Sequence, residues 1–306
     1  MKPEKTIPFL CEKDWGGTRL RNFGKSLSSP HTGESWELSA HPNGECSVYG
    51  LPLSKAFAQY GQALAGRLAA RGDFPLLIKL IDARETLSVQ VHPDDALAEK
   101  LFGEPYGKTE AWVILDAPPG ATLILGTDTD SSGMRAAIAE GHMDEHLKRI
   151  PVKAGDCIYI PAGTVHAIEK GILLYEVQQS SDRTFRLYAW GRDAALHIEE
   201  SLLAMEIPVQ GAGLIRPKQI PAKGGECLRL IECPAFTLDR LHVRHIMEET
   251  ADGSRFYAYT ALTPGELRHP ECTIQYNMGD TILIPASAGR YTLHGGTLLK
   301  AYPTGD

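Results

Sequence analysis

The feature that most constrains the fold is an internal repeat. Gly155-Asp156-Cys157-Ile158-Tyr159-Ile160-Pro161-Ala162 returns as Gly279-Asp280-Thr281-Ile282-Leu283-Ile284-Pro285-Ala286, an offset of 279 − 155 = 124 residues. In both copies a Gly-Asp turn leads into residues of alternating direction, the period of a half-buried strand. Proline then ends the strand, because it cannot donate to a ladder. After the first copy comes a second strand, Ile172-Leu173-Leu174-Tyr175-Glu176-Val177-Gln178, so the chain turns back into the sheet past His166. A chain that writes the same turn, strand and stop twice is expected to build two related β domains. At the same offset His166 becomes Arg290 and Glu176 becomes Lys300. The shape is repeated and the polar residues are not, so chemistry is expected in the first half alone.

Composition narrows the function classes. The 306 residues carry 38 acids against 31 Lys and Arg, a net charge of −7. A general nucleic-acid binder must neutralise phosphates and is excluded on that balance. No stretch approaches the roughly 18 apolar residues of a membrane span, and Met1 to Leu10 lacks the apolar run of a signal peptide. The six cysteines are scattered and form no C-x-x-C pair. They suggest no disulfides and a reducing, cytoplasmic setting.

Along the first half, Leu53, Phe57, Tyr60, Leu64 and Leu68 recur with helical spacing. Leu76 to Ile81 reads as a buried strand with one lysine in it, and Leu87 to Val91 as an alternating strand stopped by Pro93. A short helix starts at Asp94-Asp95, with acids at its positive end. Ala111 to Leu115 and Ala121 to Leu125 read as strands, Ser131 to Ile150 as helix, and Ala194 to Met205 as helix. From residue 207 the texture changes to a Pro- and Gly-rich linker, then to short, evenly spaced strands. The expected organisation is a catalytic domain over 1–206, and a linker with a degenerate C-terminal domain over 207–306.

The pattern from Gly155 to His166, G-D-x-I-x-I-P-x-G-x-x-H, resembles the second motif of the cupins, small β-barrels whose histidine reaches inward to a metal. The fold class expected is therefore mainly β: two cupin-like jelly-roll barrels, with a few helices inserted in or flanking the first. A metal site needs further ligands upstream. Gln90 and His92 alternate on one strand and share a face, and Glu110 opens the next strand. With His166 they offer two imidazoles, one carboxylate and one amide carbonyl. Two histidines and a carboxylate suit zinc, and equally non-haem iron.

Six blocks in register extend the likeness: Trp15-Gly16-Gly17, Gly33-Glu34-Ser35-Trp36, Gln90-Val91-His92-Pro93-Asp94, Gly107-Lys108-Thr109-Glu110, Pro161 to Ala167, and Thr184-Phe185-Arg186. Together they resemble the type I mannose-6-phosphate isomerase family in its short bacterial form. The resemblance implies one Zn2+ per chain, held by His92, Glu110 and His166 with Gln90 as fourth ligand. It implies interconversion of mannose 6-phosphate and fructose 6-phosphate through an enediol, with Arg186, Lys108 and Glu176 acting on the substrate. Lys108, Glu176 and a metal-bound water are the candidate bases. The helical domain that the long form inserts between the motifs is missing here.

The partner implied is a small hexose 6-phosphate, with no nucleic acid or membrane, bound by a monomer or a homodimer. Rival readings are an iron oxygenase of the cupin type, a non-catalytic sugar-phosphate-binding paralogue, and an isomerase of a related sugar.

Overall fold

The computed structural model describes residues 1–304. It is mainly β, with α-helices at Leu53–Ala65, Asp95–Phe102, Ser131–Glu140 and Ile198–Ala204. Two seven-stranded sheets dominate, each facing a smaller sheet of five or four strands. In the first half the large sheet runs Gly213–Leu214, Cys157–Ile160, Glu110–Asp116, Leu173–Gln179, Leu76–Asp82, Thr32–Leu38 and Phe9–Gly17. In the second it runs Glu4–Lys5, Thr281–Ile284, Tyr257–Ala261, Thr297–Pro303, Phe236–Val243, Gly225–Glu232 and Lys218–Ile220. The two orders correspond strand for strand, so the sequence repeat is the visible part of a repeat of the whole sheet.

One strand in each sheet is exchanged. Glu4–Lys5 precedes the first half yet pairs with Thr281–Ile284, and Gly213–Leu214 precedes the second half yet pairs with Cys157–Ile160. Lys5 Nζ seals the first exchange with a 2.7 Å ion pair to Asp280.

Strand alternation explains the layering. In Glu110–Asp116, Trp112 and Ile114 join an apolar cluster with Leu123, Leu125 and Ile168 of the five-stranded sheet. The intervening Ala111 and Val113 join a different cluster, with Tyr175, Val177, Phe236, Leu238, Leu283 and Leu299. The two large sheets therefore pack face to face, and the small sheets cover their outer faces. A sheet buried on both sides is apolar at nearly every position, as Leu76-Leu77-Ile78-Lys79-Leu80-Ile81 shows. Among the described residues no sheet closes on itself. Each half is an open two-sheet sandwich where a closed barrel was expected.

Two helix expectations are corrected. The helix expected over 131–150 ends at Glu140, because Gly141 takes the left-handed φ of 79° that stops it. Leu147–Pro151 is instead a strand on the edge of the five-stranded sheet, paired with Thr122–Thr127. The helix expected over 194–205 is confined to Ile198–Ala204. The repeat also needs a shift of one residue after Pro285. Arg290 lies on the exposed outer face, and it is Tyr291, 3% exposed, that points inward. No helix among the described residues is long and apolar enough to cross a membrane.

Leu299 lies at the centre of the face-to-face layer and is fully buried. Leu299→Ala is expected to cost about 2–5 kcal/mol, the range for a core leucine whose cavity cannot collapse. Chemical denaturation measures it, and a loss below about 1 kcal/mol would contradict a tightly packed central layer.

Candidate metal centre

Glu110 opens its strand in the middle of the first large sheet, opposite Ile160 on one side and Gln178 on the other. Alternation sends its side chain into the space between the two sheets, where it is 0% exposed. From the facing sheet come His166 and Gln90, direct cross-strand partners, and Arg186 is the next residue in the same row. Paired residues of antiparallel strands share a face, so all three look toward Glu110. His92 follows the strand Val89–Val91 and is held by its neighbours. Its carbonyl accepts from Gly163 N at 2.9 Å, and the carbonyl of Pro93 accepts from Lys108 N at 2.9 Å. Gly107 permits that second contact: a Cβ there would stand 2.3 Å from the carbonyl carbon of Asp94.

His92 Nδ1 lies 2.8 Å from the carbonyl of Arg183, and His166 Nδ1 lies 2.8 Å from the carbonyl of Thr164. A carbonyl only accepts, so each Nδ1 carries a proton and Nε2 is the nitrogen turned to the centre. Both Nε2 atoms face a carboxylate. His166 Nε2 is 3.1 Å from Glu110 Oε1, and His92 Nε2 is 3.6 Å from Glu110 Oε2. Both Glu110 oxygens and His92 Nε2 are buried without a hydrogen bond. The ligand atoms of the three residues lie within 4.8 Å of one another.

Acceptors crowded together in a dry interior repel unless a cation stands among them. Burial, with Lys108 adding to it, pushes the His92 imidazole well below its ordinary value. Burial alone would raise the Glu110 carboxyl, but the neighbouring charges, Lys108 first, outweigh it and hold it well below the usual carboxylate range. An uncharged His92 and an ionised Glu110 are the forms that bind a divalent cation. Gln90 Nε2 is 3.3 Å from His166 Nε2, and the same amide turned over presents its carbonyl oxygen.

The other expected site residues divide. Lys108 Nζ is 3.1 Å from Glu110 Oε2, on the same strand face, as spacing predicts. The Arg186 guanidinium has no hydrogen-bond or ion-pair partner among the described residues. Glu176 does not stand at the mouth. It is the cross-strand partner of Trp112, two residues along the strand from Gln178, the partner of Glu110. Trp112 Nε1 donates to its Oε2 at 2.8 Å, and Lys79 Nζ lies 3.3 Å from its Oε1. Burial and the repulsion of Glu110 raise the Glu176 carboxyl, against the opposing pull of Lys79 and Lys108.

Sequence reasoning missed Lys79, Glu34 and Trp36 as parts of this wall. Lys79 Nζ lies 5.1 Å from the centroid of the Trp36 ring, and Trp36 Nε1 donates to Glu34 Oε2 at 2.8 Å. Burial would lower the Lys79 ammonium, but Glu34 and Glu176 outweigh it and keep it protonated. The signal was present as one lysine in an otherwise apolar strand.

A cavity of about 520 Å3 lies on the opposite side of the large sheet, lined by Thr109 and Gln179. Alternation turns these away from Glu110 and Gln178, so that cavity is separate from the centre.

Metal analysis of dialysed protein should find one tightly held divalent ion per chain. His166→Ala and Glu110→Ala should each lose it, while Tyr291→Phe in the second half keeps it. Retention of the ion by His166→Ala would contradict the ligand set.

Comparison with known proteins gives the family. The family model described as "Phosphomannose isomerase type I, catalytic domain" matches residues 5–109. The mannose-6-phosphate isomerase of Streptococcus mutans is 38% identical over 303 residues, spanning 94% of this chain and 93% of its own. A mannose-6-phosphate isomerase of Bacillus subtilis is 36% identical over 304 residues, spanning 94% of each. The crystal structure of the mannose 6-phosphate isomerase from Bacillus subtilis superposes with a TM-score of 0.90 at 32% identity, covering 99% of both chains. With full-length relatives at this identity and a shared architecture, the chain belongs to the type I mannose-6-phosphate isomerase family.

Proposed function

We propose that the protein interconverts mannose 6-phosphate and fructose 6-phosphate by moving a proton between adjacent carbons through an enediol. The observation that carries this reading is the convergence of buried ligand atoms from His92, Glu110 and His166 within 4.8 Å of one another beside two cations, Lys108 and Arg186. Family membership supplies the substrate.

In this reading His92, Glu110, His166 and Gln90 hold one zinc ion, which supplies Lewis-acid stabilisation of charge on the sugar oxygens. The surrounding residues do the rest. Lys108 stands against Glu110 beside the reacting end of the sugar, where its amine, once it has given up its proton, would take the proton from one carbon and return it to the adjacent one. Arg186, one strand over from Gln90, offers a rigid donor fork to the enediolate oxygen. Glu176 is committed to Trp112 and Lys79, so its part is to set the charge of the wall. The walls are buried, which strengthens each of these charges.

We read the two sandwiches as two jelly rolls divided near residue 206. The first is catalytic, and the second is a structural cover for the large sheet. Six unpaired thiols fit a reducing cytoplasm.

A coupled assay on mannose 6-phosphate tests the reading. Activity should vanish with a chelator and return with zinc. Arg186→Ala should lower kcat by roughly 100-fold or more with metal content unchanged, as expected for a group that meets charge developing in the transition state. An Arg186→Ala enzyme with wild-type kinetics would remove that role.

A further inference from the structure

We infer that Lys13, on the edge strand Phe9–Gly17, is the cation that recognises the phosphate of the substrate. The inference rests on the isomerase reading above and extends it to the far end of the sugar. The phosphate sits at the opposite end of the hexose chain from the carbons that exchange the proton. Arg186 lies in the row of Gln90 and His166, at the reacting end. Another cation must therefore meet the dianion.

The inward wall offers three lysines, each beside one carboxylate. Lys79 pairs with Glu176 at 3.3 Å, Lys108 with Glu110 at 3.1 Å, and Lys13 with Glu34 at 3.6 Å. Exposure separates them. The Lys79 and Lys108 side chains are each 6% exposed, and that of Lys13 is 38% exposed. Lys13 also has the weakest claim on its acid. Glu34 Oε2 already accepts from Trp36 Nε1 at 2.8 Å, and Lys79 bears more strongly than Lys13 on its charge. The ammonium of Lys13 can turn to an incoming dianion while Glu34 keeps its other partners.

Its place in the fold fits. Phe9–Gly17 is the edge of the large sheet, and Phe185–Tyr188, which carries Arg186, is the edge of the facing sheet. Asp14 Oδ2 lies 4.0 Å from Arg192 NH1, so the edge strand that carries Lys13 meets the turn that follows Phe185–Tyr188. Arg192 itself is committed, donating to the carbonyls of Ala189 and Thr86 at 3.2 and 2.7 Å. In a chain of net charge −7 an exposed cation at this flank also draws the anion in.

The experiment compares wild type, Lys13→Met and Lys13→Arg by steady-state kinetics on mannose 6-phosphate, by inhibition with inorganic phosphate, and by thermal melting. Lys13→Met should raise KM and the phosphate inhibition constant by about 10- to 100-fold, the loss of one charge-assisted hydrogen bond. Its kcat should fall less than about threefold, since the contact is made equally in ground and transition states. Lys13→Arg should restore most of the affinity. A folded Lys13→Met protein with unchanged KM and unchanged phosphate inhibition would overturn the assignment, as would a fall in kcat at constant KM. Should wild type lack isomerase activity, calorimetric titration with inorganic phosphate still decides: weaker binding by Lys13→Met upholds the subsite, and equal binding removes it.

Discussion

The structure depends on a cluster of buried polar atoms that the protein satisfies only in part. Two imidazole Nε2 atoms and a carboxylate meet in a dry space between two sheets, with each Nδ1 tied to a backbone carbonyl. Lys108 meets one carboxylate oxygen, and His92 Nε2 is left without a hydrogen bond, a cost that a bound cation removes. The surrounding features hold that arrangement in place. Gly107 lets the loop before Glu110 lie against Asp94, Gly163 N ties the second motif to the His92 carbonyl, and Lys108 keeps the carboxylate ionised.

In the second sandwich the matching positions carry residues that pair with one another. Register places Tyr259 where Trp112 stands and Lys300 where Glu176 stands, each opposite its matching strand. Tyr291 pairs with Glu249 as His166 pairs with Gln90. Across from these, Asp239 replaces Lys79 as the partner of the central strand. Lys300 Nζ forms a 2.7 Å ion pair with Glu249 and lies 4.7 and 5.6 Å from the Tyr257 and Tyr259 ring centroids. An ammonium among acid and aromatic faces satisfies that interior internally.

Much of this was readable in the chain, because the first half's ligands come from short strands whose alternation fixes direction. Gln90, Glu110 and His166 sit on strands broken by Pro93, Gly107 and Pro161, and the structure brings them together with His92. Lys79 and Glu34 were harder. Each lies in a strand whose neighbours are buried for packing reasons, and only the cross-strand register shows that they face Glu176 and Lys13. The strand exchange was invisible, since two-residue strands such as Glu4–Lys5 carry no period. The helix expected over 131–150 failed at Gly141, the weak point of its pattern, which takes a left-handed φ and stops it. Arg290 was misaligned because one extra residue in the turn after Pro285 reverses the side chains of Gly289–His294, and the original offset returns by Lys300.

Anomalous diffraction at the zinc edge from crystals grown with one equivalent of zinc tests the central claim most directly. The account predicts one peak per chain, bonded to Nε2 of His92, Nε2 of His166 and the carboxylate of Glu110, with none between the sheets of the second half. A peak at Glu249 or elsewhere, with the first-half cluster empty in active protein, would contradict it.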